Sequence, residues 1–304
     1  MIAAQAVQHW PQITGTPVLF MQRENAVYRV ETNAGPHALR LHRPGYHSAA
    51  ALRSELDLMA MLAGQGVQVP RPMAARDGAL LATWAGHNAS LLSWLPGQPM
   101  GRSGQPLALR GPARAQLFAA IGAQMARLHS LTDGWTPPPG FTRPAWDSDG
   151  LLGEVPLWGR FWDIGTAADR AILAAFRDRA RAMLATDLDF GLIHADLVNE
   201  NVLVGGGHVH FIDFDDCGWG YRVFDMATTL YKAVDEPDFA ALQVALVAGY
   251  AAQRRVPDLS LLPLFLALRG VTYLGWIAAR RDELGMEAKA AVYMALAKRL
   301  IAKL

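Results

Sequence analysis

Residues 191–216 read GLIHADLVNENVLVGGGHVHFIDFDD, and the fold turns on how this stretch divides. A short apolar run ends in His194-Ala195-Asp196, and a polar loop leads to Asn201. A strand covers 202–204, Gly205-Gly206-Gly207 turns the chain, and a second strand delivers Asp213. A hairpin of that shape collects Asp196, Asn201 and Asp213 near one end of two adjacent strands. Three oxygen-bearing side chains with no lysine among them are what phosphoryl transfer from a nucleotide requires. The Asp of an H-x-D-x-x-x-x-N loop orients and deprotonates an incoming hydroxyl, while the Asn and a downstream Asp hold Mg²⁺ against the phosphates. His194, Asp196 and Asn201 meet that spacing with no insertion. Turn chemistry alone accounts for a loop of Asp and Asn, but not for three motifs in this order.

HADLVNEN at 194–201, IDFDD at 212–216 and the later Phe224-Asp225-Met226-Ala227 resemble the aminoglycoside phosphotransferase and choline kinase group of kinase-like enzymes. The resemblance implies an α+β, protein kinase-like fold of two lobes. A small nucleotide-covering lobe would span 1–94, and a mostly helical catalytic and acceptor-binding lobe 95–304. It implies ATP and Mg²⁺, with Asp196 as the catalytic base and Asn201 and Asp213 as metal ligands. Asp215 is the candidate outer ligand of a second ion. Asp213-Phe214-Asp215 stands where protein kinases have Asp-Phe-Gly, as is usual in the small-molecule branch. His194 and Asp225 take supporting roles, Asp225 by hydrogen-bonding the catalytic loop. On the nucleotide side the resemblance points to Asn25 and to Arg40, which stands where a lysine is common. It also points to Glu55 as the partner that holds the Arg40 guanidinium, and to backbone groups of Ser93, Trp94 and Leu95 for the adenine. His42 or Arg43 replaces Arg40 if the register slips.

Along the chain, 18–30 and 37–43 alternate like strands around Asn33-Ala34-Gly35-Pro36. MQREN at 21–25 has no glycine, so the phosphate cradle is not a glycine-rich loop. Apolar spacing over 48–63 predicts an amphipathic helix that ends at Gly64. Two further strands fall at 80–84 and 91–95, and a linker at 101–112. A helix at 113–131 carries His129 near its end, satisfied by backbone. An insert at 133–161 with Trp135, Trp146 and Trp158 packs over the C-terminal lobe and offers a wall for an acceptor pocket. Helices follow at 166–186, 226–234, 238–253, 259–279 and 286–303, with a glycine-flanked aromatic turn at 218–221.

A chain of 304 residues, 52% hydrophobic and 18% charged, buries a sizeable core. Its formal net charge of +1 gives no global field for nucleic acid or an anionic membrane. One cysteine, Cys217, suits a reducing cytoplasm, where it reads as a small buried hydrophobe. MIAAQAVQHWPQ has no basic, then apolar, leader pattern. Residues 259–279 are apolar but contain Pro263 and Arg269, so they read as a core helix and not a membrane span. The Arg pairs at 254–255 and 280–281 read as solvated helix ends.

Three rival readings remain. His208 and His210 share a strand face with Asp213 nearby, as a hydrolytic metal site requires, although both fit half-exposed strand positions. A nucleotide-binding module without catalysis would explain the missing glycines and the Arg at 40. A bacterial stress-response type of Ser/Thr protein kinase resembles the segment 24–28 together with IDFDD. The leading expectation is an ATP-dependent kinase for a small-molecule hydroxyl. Trp219, Tyr221, Tyr273 and Trp276 are available to cage a quaternary amine, and Arg222 or Arg269 to bind a carboxylate.

Overall fold

A computed structural model describes residues 1–304 other than Met1, Arg23, Ser103, Gly104, Pro106, Ala108, Ala185 and Thr186. Parts of the predicted 101–112 linker, the end of the predicted 166–186 helix and Arg23 within the 18–30 run therefore lie outside the described residues. The chain forms two compact units. One contains Met1–Gln98, Gly134–Arg143 and Val202–Asp215; the other contains Pro99–Asp133, Pro144–Asn201 and Asp216–Leu304.

In the first unit the strands Val18–Gln22, Ala26–Thr32, Gly35–Leu41, His87–Ser93 and Pro72–Met73 lie side by side in that order, and Ala82–Trp84 also pairs with His87–Ser93. The run 18–30 is thus two strands and not one. It folds back so that Gln22 faces Ala26, because polar residues at 22–25 interrupt the alternation that a single strand needs. Ala85 and Gly86, with φ of 45° and 78°, form a two-residue turn. That turn brings the next strand forward to His87–Ser93, so Trp94 and Leu95 lie beyond its end. Ser48 caps the helix Ala49–Gly64 by accepting from Ala51 N at 3.2 Å. Leu52, Leu56, Met59 and Leu62 form its buried stripe, and Glu55 is buried in the same stripe. Trp10, Val30, Leu39 and Leu91 form a core beneath the sheet.

The hairpin predicted after Asn201 is present in this unit as Val202–Gly205 and His208–Phe211, with Val202 opposite Phe211. Gly206 and Gly207, at φ of 60° and 77°, make its turn. His210 is buried rather than half-exposed and bonds Gly205 O at 3.3 Å, whereas His208 is exposed. Residues 134–143 of the insert also belong to this unit. Thr142 N donates to Ser54 Oγ at 2.8 Å, and Arg143 donates to Ala51 O at 3.1 Å.

The second unit is mostly helical. Gly218–Tyr221 is a strand and not a turn, antiparallel to Phe190–Ile193 and parallel to Ala145–Trp146. Its glycines serve close packing, since a Cβ on Gly220 would strike the Ile193 side chain. The next helix, Arg222–Tyr231, begins four residues earlier than the sequence suggests, which places Asp225 in its first turn. Long helices span Gly111–Asp133, Phe239–Ala251, Leu262–Ala278 and Met286–Ile301. Among the described residues, no helix is long and apolar enough to cross a membrane. Arg254 is not a solvated helix end: it bonds Asp133 Oδ2 at 2.9 Å and Asp189 Oδ2 at 2.5 Å.

Gly111–Asp133 and Phe239–Ala251 cross backbone to backbone. A Cβ on Gly122 would strike Leu246 O, and one on Gly249 would strike Ala119 O. Backbone cannot yield as a flexible side chain can, so a methyl there must push the helices apart. Gly249→Ala should lower stability by about 1–3 kcal/mol, as overpacking does, read as a fall in the thermal unfolding midpoint. Val244→Ala, at an exposed site on the same helix, should leave the midpoint almost unchanged.

Candidate active site

Within the second unit, the strand Phe190–Ile193 runs directly into the loop of residues 194–201. Ala195 has φ of 67°, a left-handed conformation that a non-glycine residue adopts only when its surroundings enforce it. Asp225 supplies the enforcement. Its Oδ2 accepts from His194 N at 2.9 Å and its Oδ1 from Ala195 N at 2.7 Å. The carboxylate is fully buried, and His129 Nε2 lies 3.1 Å from Oδ2. His129 Nδ1 lies 2.9 Å from Tyr250 Oη. A neutral ring that donates to Asp225 and accepts from Tyr250 satisfies every group. Burial first, and then the Arg222 charge, push the His129 imidazole down to about 4 against the pull of Asp225. Burial would raise the Asp225 carboxyl, but its bond to His129 and the nearby His194 hold it below the usual carboxylate range.

The clamp aims the residues that follow. Asp196 N donates to His194 Nδ1 at 3.3 Å. Asn201 Nδ2 donates to Asp196 O and to Asp196 Oδ2, each at 2.9 Å. Both amide hydrogens are thereby used, which leaves the Asn201 side-chain oxygen as a hard ligand for a cation. The other Asp196 oxygen, Oδ1, accepts from Arg269 Nη2 at 2.6 Å. Burial opposes the Arg269 charge, yet the fields of Tyr273 and Asp196 hold this guanidinium above its ordinary range.

The first unit carries the other predicted residues. Arg40 faces Val27 and Ser90 on the neighbouring strands, and its Nη2 bonds Glu55 Oε1 at 2.6 Å with both side chains buried. Burial works against the Arg40 charge, and the fields of Glu55, Asp215 and Asp213 outweigh it, so the guanidinium stays charged. Asp213 has φ of 64°, the same left-handed region as Ala195. Asp215 is buried, and its Oδ1 lies 3.7 Å from His47 Nε2. Burial would raise its carboxyl, but His47, Arg40 and His42 hold it down at about 2. Arg143 donates to the carbonyl oxygens of Phe214 and Asp215, fixing the backbone of that motif. Of the two substitutes for Arg40, His42 is buried against Ser90 Oγ at 3.1 Å, and Arg43 is exposed and paired with Glu24 at 2.6 Å. Asn25 Oδ1 accepts from Arg43 N at 3.1 Å and so ties the first turn of the sheet to the end of the third strand. Ser93 Oγ accepts from Arg71 N at 2.8 Å, Trp94 packs edge-on to Phe20 at 4.9 Å, and Leu95 is half-buried.

Some sequence readings need correction. His129 is not a helix-end residue satisfied by backbone; its ring belongs to the clamp. Arg222 is no acceptor ligand, because it is buried against Asp133 Oδ1 at 2.5 Å, Thr132 and Leu192 O. Trp146 packs in the core against Phe224 and lines no open wall. Arg143 and His47 went unnoticed, and no local pattern marks them. Arg269 did carry a signal, since a charge in an apolar helix requires a buried partner.

The second unit thus carries an Asp–Asn pair on a clamped loop, and the first unit by itself carries a buried Arg–Glu pair and an Asp-rich motif, residue types that phosphoryl transfer uses. The chain matches the phosphotransferase enzyme family (APH) over residues 21–259 and belongs to it. A homoserine kinase of Acidiphilium cryptum is 33% identical over 238 residues, covering 76% of this chain and 69% of that protein. The structure of a microcompartment-associated aminopropanol kinase superposes with a TM-score of 0.84 at 30% identity, covering 99% of this chain and 96% of that one. An amicoumacin kinase structure, at 21% identity and a TM-score of 0.81, shares the fold. The fold is therefore kinase-like α+β, and the protein is an ATP-dependent phosphotransferase acting on a hydroxyl of a small molecule.

The clamp predicts the acid side of the stability profile. The unfolded His129 takes a proton near its ordinary value of 6.5 and the folded one only near 4, so between those values the unfolded state binds more protons. Stability should therefore be full above pH 6.5 and fall as the pH drops toward 4, by about 3 kcal/mol from this group at most. The lowered Asp225 carboxyl acts in the same direction. Urea unfolding from pH 7.5 to 4.5 tests this, and His129→Gln should flatten the slope.

Proposed function

We propose that the acceptor is a short amino alcohol, phosphorylated on its hydroxyl, and that the residues above divide the work as follows. Asp196 orients the hydroxyl and accepts its proton. Asn201 and Asp213 hold Mg²⁺, with Asp215 as the outer ligand of a second ion. Mg²⁺, when bound, offsets the phosphate charge and orients the nucleotide. The donors suit such a hard cation: a fixed amide oxygen on Asn201 and, on Asp215, a carboxyl held against its burial below its usual range by His47 and Arg40. Arg40, steadied by Glu55, neutralises the phosphates, and as an arginine it does so with a planar fork. Asn25 shapes the turn over the nucleotide, and backbone groups at Ser93, Trp94 and Leu95 receive the adenine. His194 and Asp225 position the catalytic loop. Residues 1–94 serve the nucleotide, and 95–304 serve catalysis and the acceptor.

The observation that carries this reading is the fixed Asp196 carboxylate, with one oxygen on Asn201 and the other on Arg269. Fixing a base before substrate arrives is how phosphoryl transfer gains rate, since the chemistry is mostly positioning. The acceptor class draws on the homoserine kinase and aminopropanol kinase relatives, each named for a short chain bearing an amine and a hydroxyl. We place the enzyme in the cytoplasm with no nucleic-acid or membrane partner, in keeping with a net charge of +1 and a buried single cysteine.

A coupled assay of ADP release over a panel of amino alcohols tests the proposal. Asp196→Asn should lower kcat by about 10²–10⁴-fold and leave ATP affinity nearly unchanged. Asp213→Asn should instead weaken binding of the Mg²⁺-nucleotide, read by calorimetry. Full activity in both variants would contradict the roles assigned.

A further inference from the structure

Arg269 is a full charge at the middle of the apolar helix Leu262–Ala278, with no exposed surface. Its guanidinium carbon lies 4.3 Å from the Trp158 ring centroid and 4.5 Å from that of Tyr273. Nη2 is used twice, by Asp196 Oδ1 at 2.6 Å and Tyr273 Oη at 3.1 Å. Among the described residues, Nε and Nη1 are buried with no hydrogen-bond partner. A buried unsatisfied donor is costly, and a charged one more so; a ligand group that accepts from Nη1 removes the penalty.

The neighbouring rings show which sign of ligand is welcome. Tyr273 stacks on Tyr293 at 4.5 Å, and Lys232 Nζ lies 4.4 Å from the Tyr273 centroid and bonds Tyr293 Oη at 3.0 Å. Of the rings predicted to cage a quaternary ammonium, Tyr273 is already covered by two of the protein's own cations, Arg269 and Lys232. A third cation there meets like charge, whereas an anion meets a guanidinium with donors to spare. Asp216, which accepts from Trp158 Nε1 at 3.2 Å, supplies a nearby negative charge suited to the amine of the same ligand.

We propose that Arg269 selects the acceptor: it takes a hydroxyl compound that also bears a carboxylate, bound through Nη1, while Asp196 orients the hydroxyl. Because one guanidinium touches both the base and the acceptor, the carboxylate and the hydroxyl can be only a few bonds apart. The half-exposed cover of the guanidinium is Trp158. Binding at Nη1 therefore disturbs the Trp158 ring. This inference rests on the amino-alcohol kinase reading above.

The test compares L-homoserine with 3-aminopropan-1-ol, which is the same molecule without its carboxylate. The wild-type protein should favour homoserine in kcat/KM by about 10²-fold or more, as sites built to pair a polar group do. Arg269→Met should slow both reactions, since it also loosens Asp196, and should bring the ratio near one; Arg269→Lys should fall between. Without ATP, homoserine and not aminopropanol should change tryptophan fluorescence, and Trp158→Phe should abolish the change. Equal wild-type efficiency on the two compounds, or a ratio unchanged in Arg269→Met, overturns the inference and leaves the kinase reading standing. Turnover of neither compound overturns the reading on which it rests.

Discussion

A single buried carboxylate holds the second unit's machinery in place. Asp225 accepts from two successive backbone N–H groups, at 2.9 and 2.7 Å, and so fixes the left-handed turn at Ala195 from which Asp196 projects. Such a turn is worth about 1–3 kcal/mol of strain, and two charge-assisted bonds of roughly 1.5–3 kcal/mol each are enough to offset it. The carboxylate itself must then be kept ionised in a fully buried position, which is the work of His129, backed by Tyr250. The chain of dependence runs from three helices to one loop: His129 on Gly111–Asp133, Tyr250 on Phe239–Ala251, and Asp225 on Arg222–Tyr231. Glycines at 122 and 249 let the first two of these helices approach closely enough to contribute.

Each unit also contains a buried arginine beside a functional carboxylate. Arg40 is held by Glu55 and lies in the field of Asp213 and Asp215. Arg269 is held by Asp196 and stacked between Trp158 and Tyr273. Buried ion pairs are poor investments for stability alone, because desolvation consumes most of the attraction. Their placement makes sense as preorganisation: each fixes a charge before a negatively charged ligand arrives. The same logic explains why Lys232 sits among tyrosines close to Arg269, where it adds positive field.

The hairpin at 202–211 and the helix 49–64 were legible in the sequence because each rests on short-range pattern, glycines at a turn and apolar spacing, whereas the Arg40–Glu55 pairing was legible only through the resemblance to kinase-like enzymes. What the sequence concealed depends on distant partners. The turn at Ala85-Gly86 escaped notice because alanine rarely adopts positive φ. Gly218 and Gly220 looked like turn residues, yet they serve close packing of a strand, a need set by Ile193 and Pro144. His129 lies 96 residues from Asp225, and Arg269 lies 73 from Asp196, so neither pairing leaves a local trace. Arg143 comes from an insert whose composition says only that it is apolar, and its role is set by carbonyls at Phe214 and Asp215.

The central claim is that the protein moves phosphate from ATP to a small-molecule hydroxyl with Asp196 as the base. Its most direct test is incubation of γ-labelled ATP and Mg²⁺ with a whole-metabolite extract and, separately, with a protein extract, using Asp196→Ala as control. Label appearing in a small molecule with the wild-type protein and not with the variant is the predicted result. Label confined to protein, or transfer that survives loss of the Asp196 carboxylate, would contradict the account.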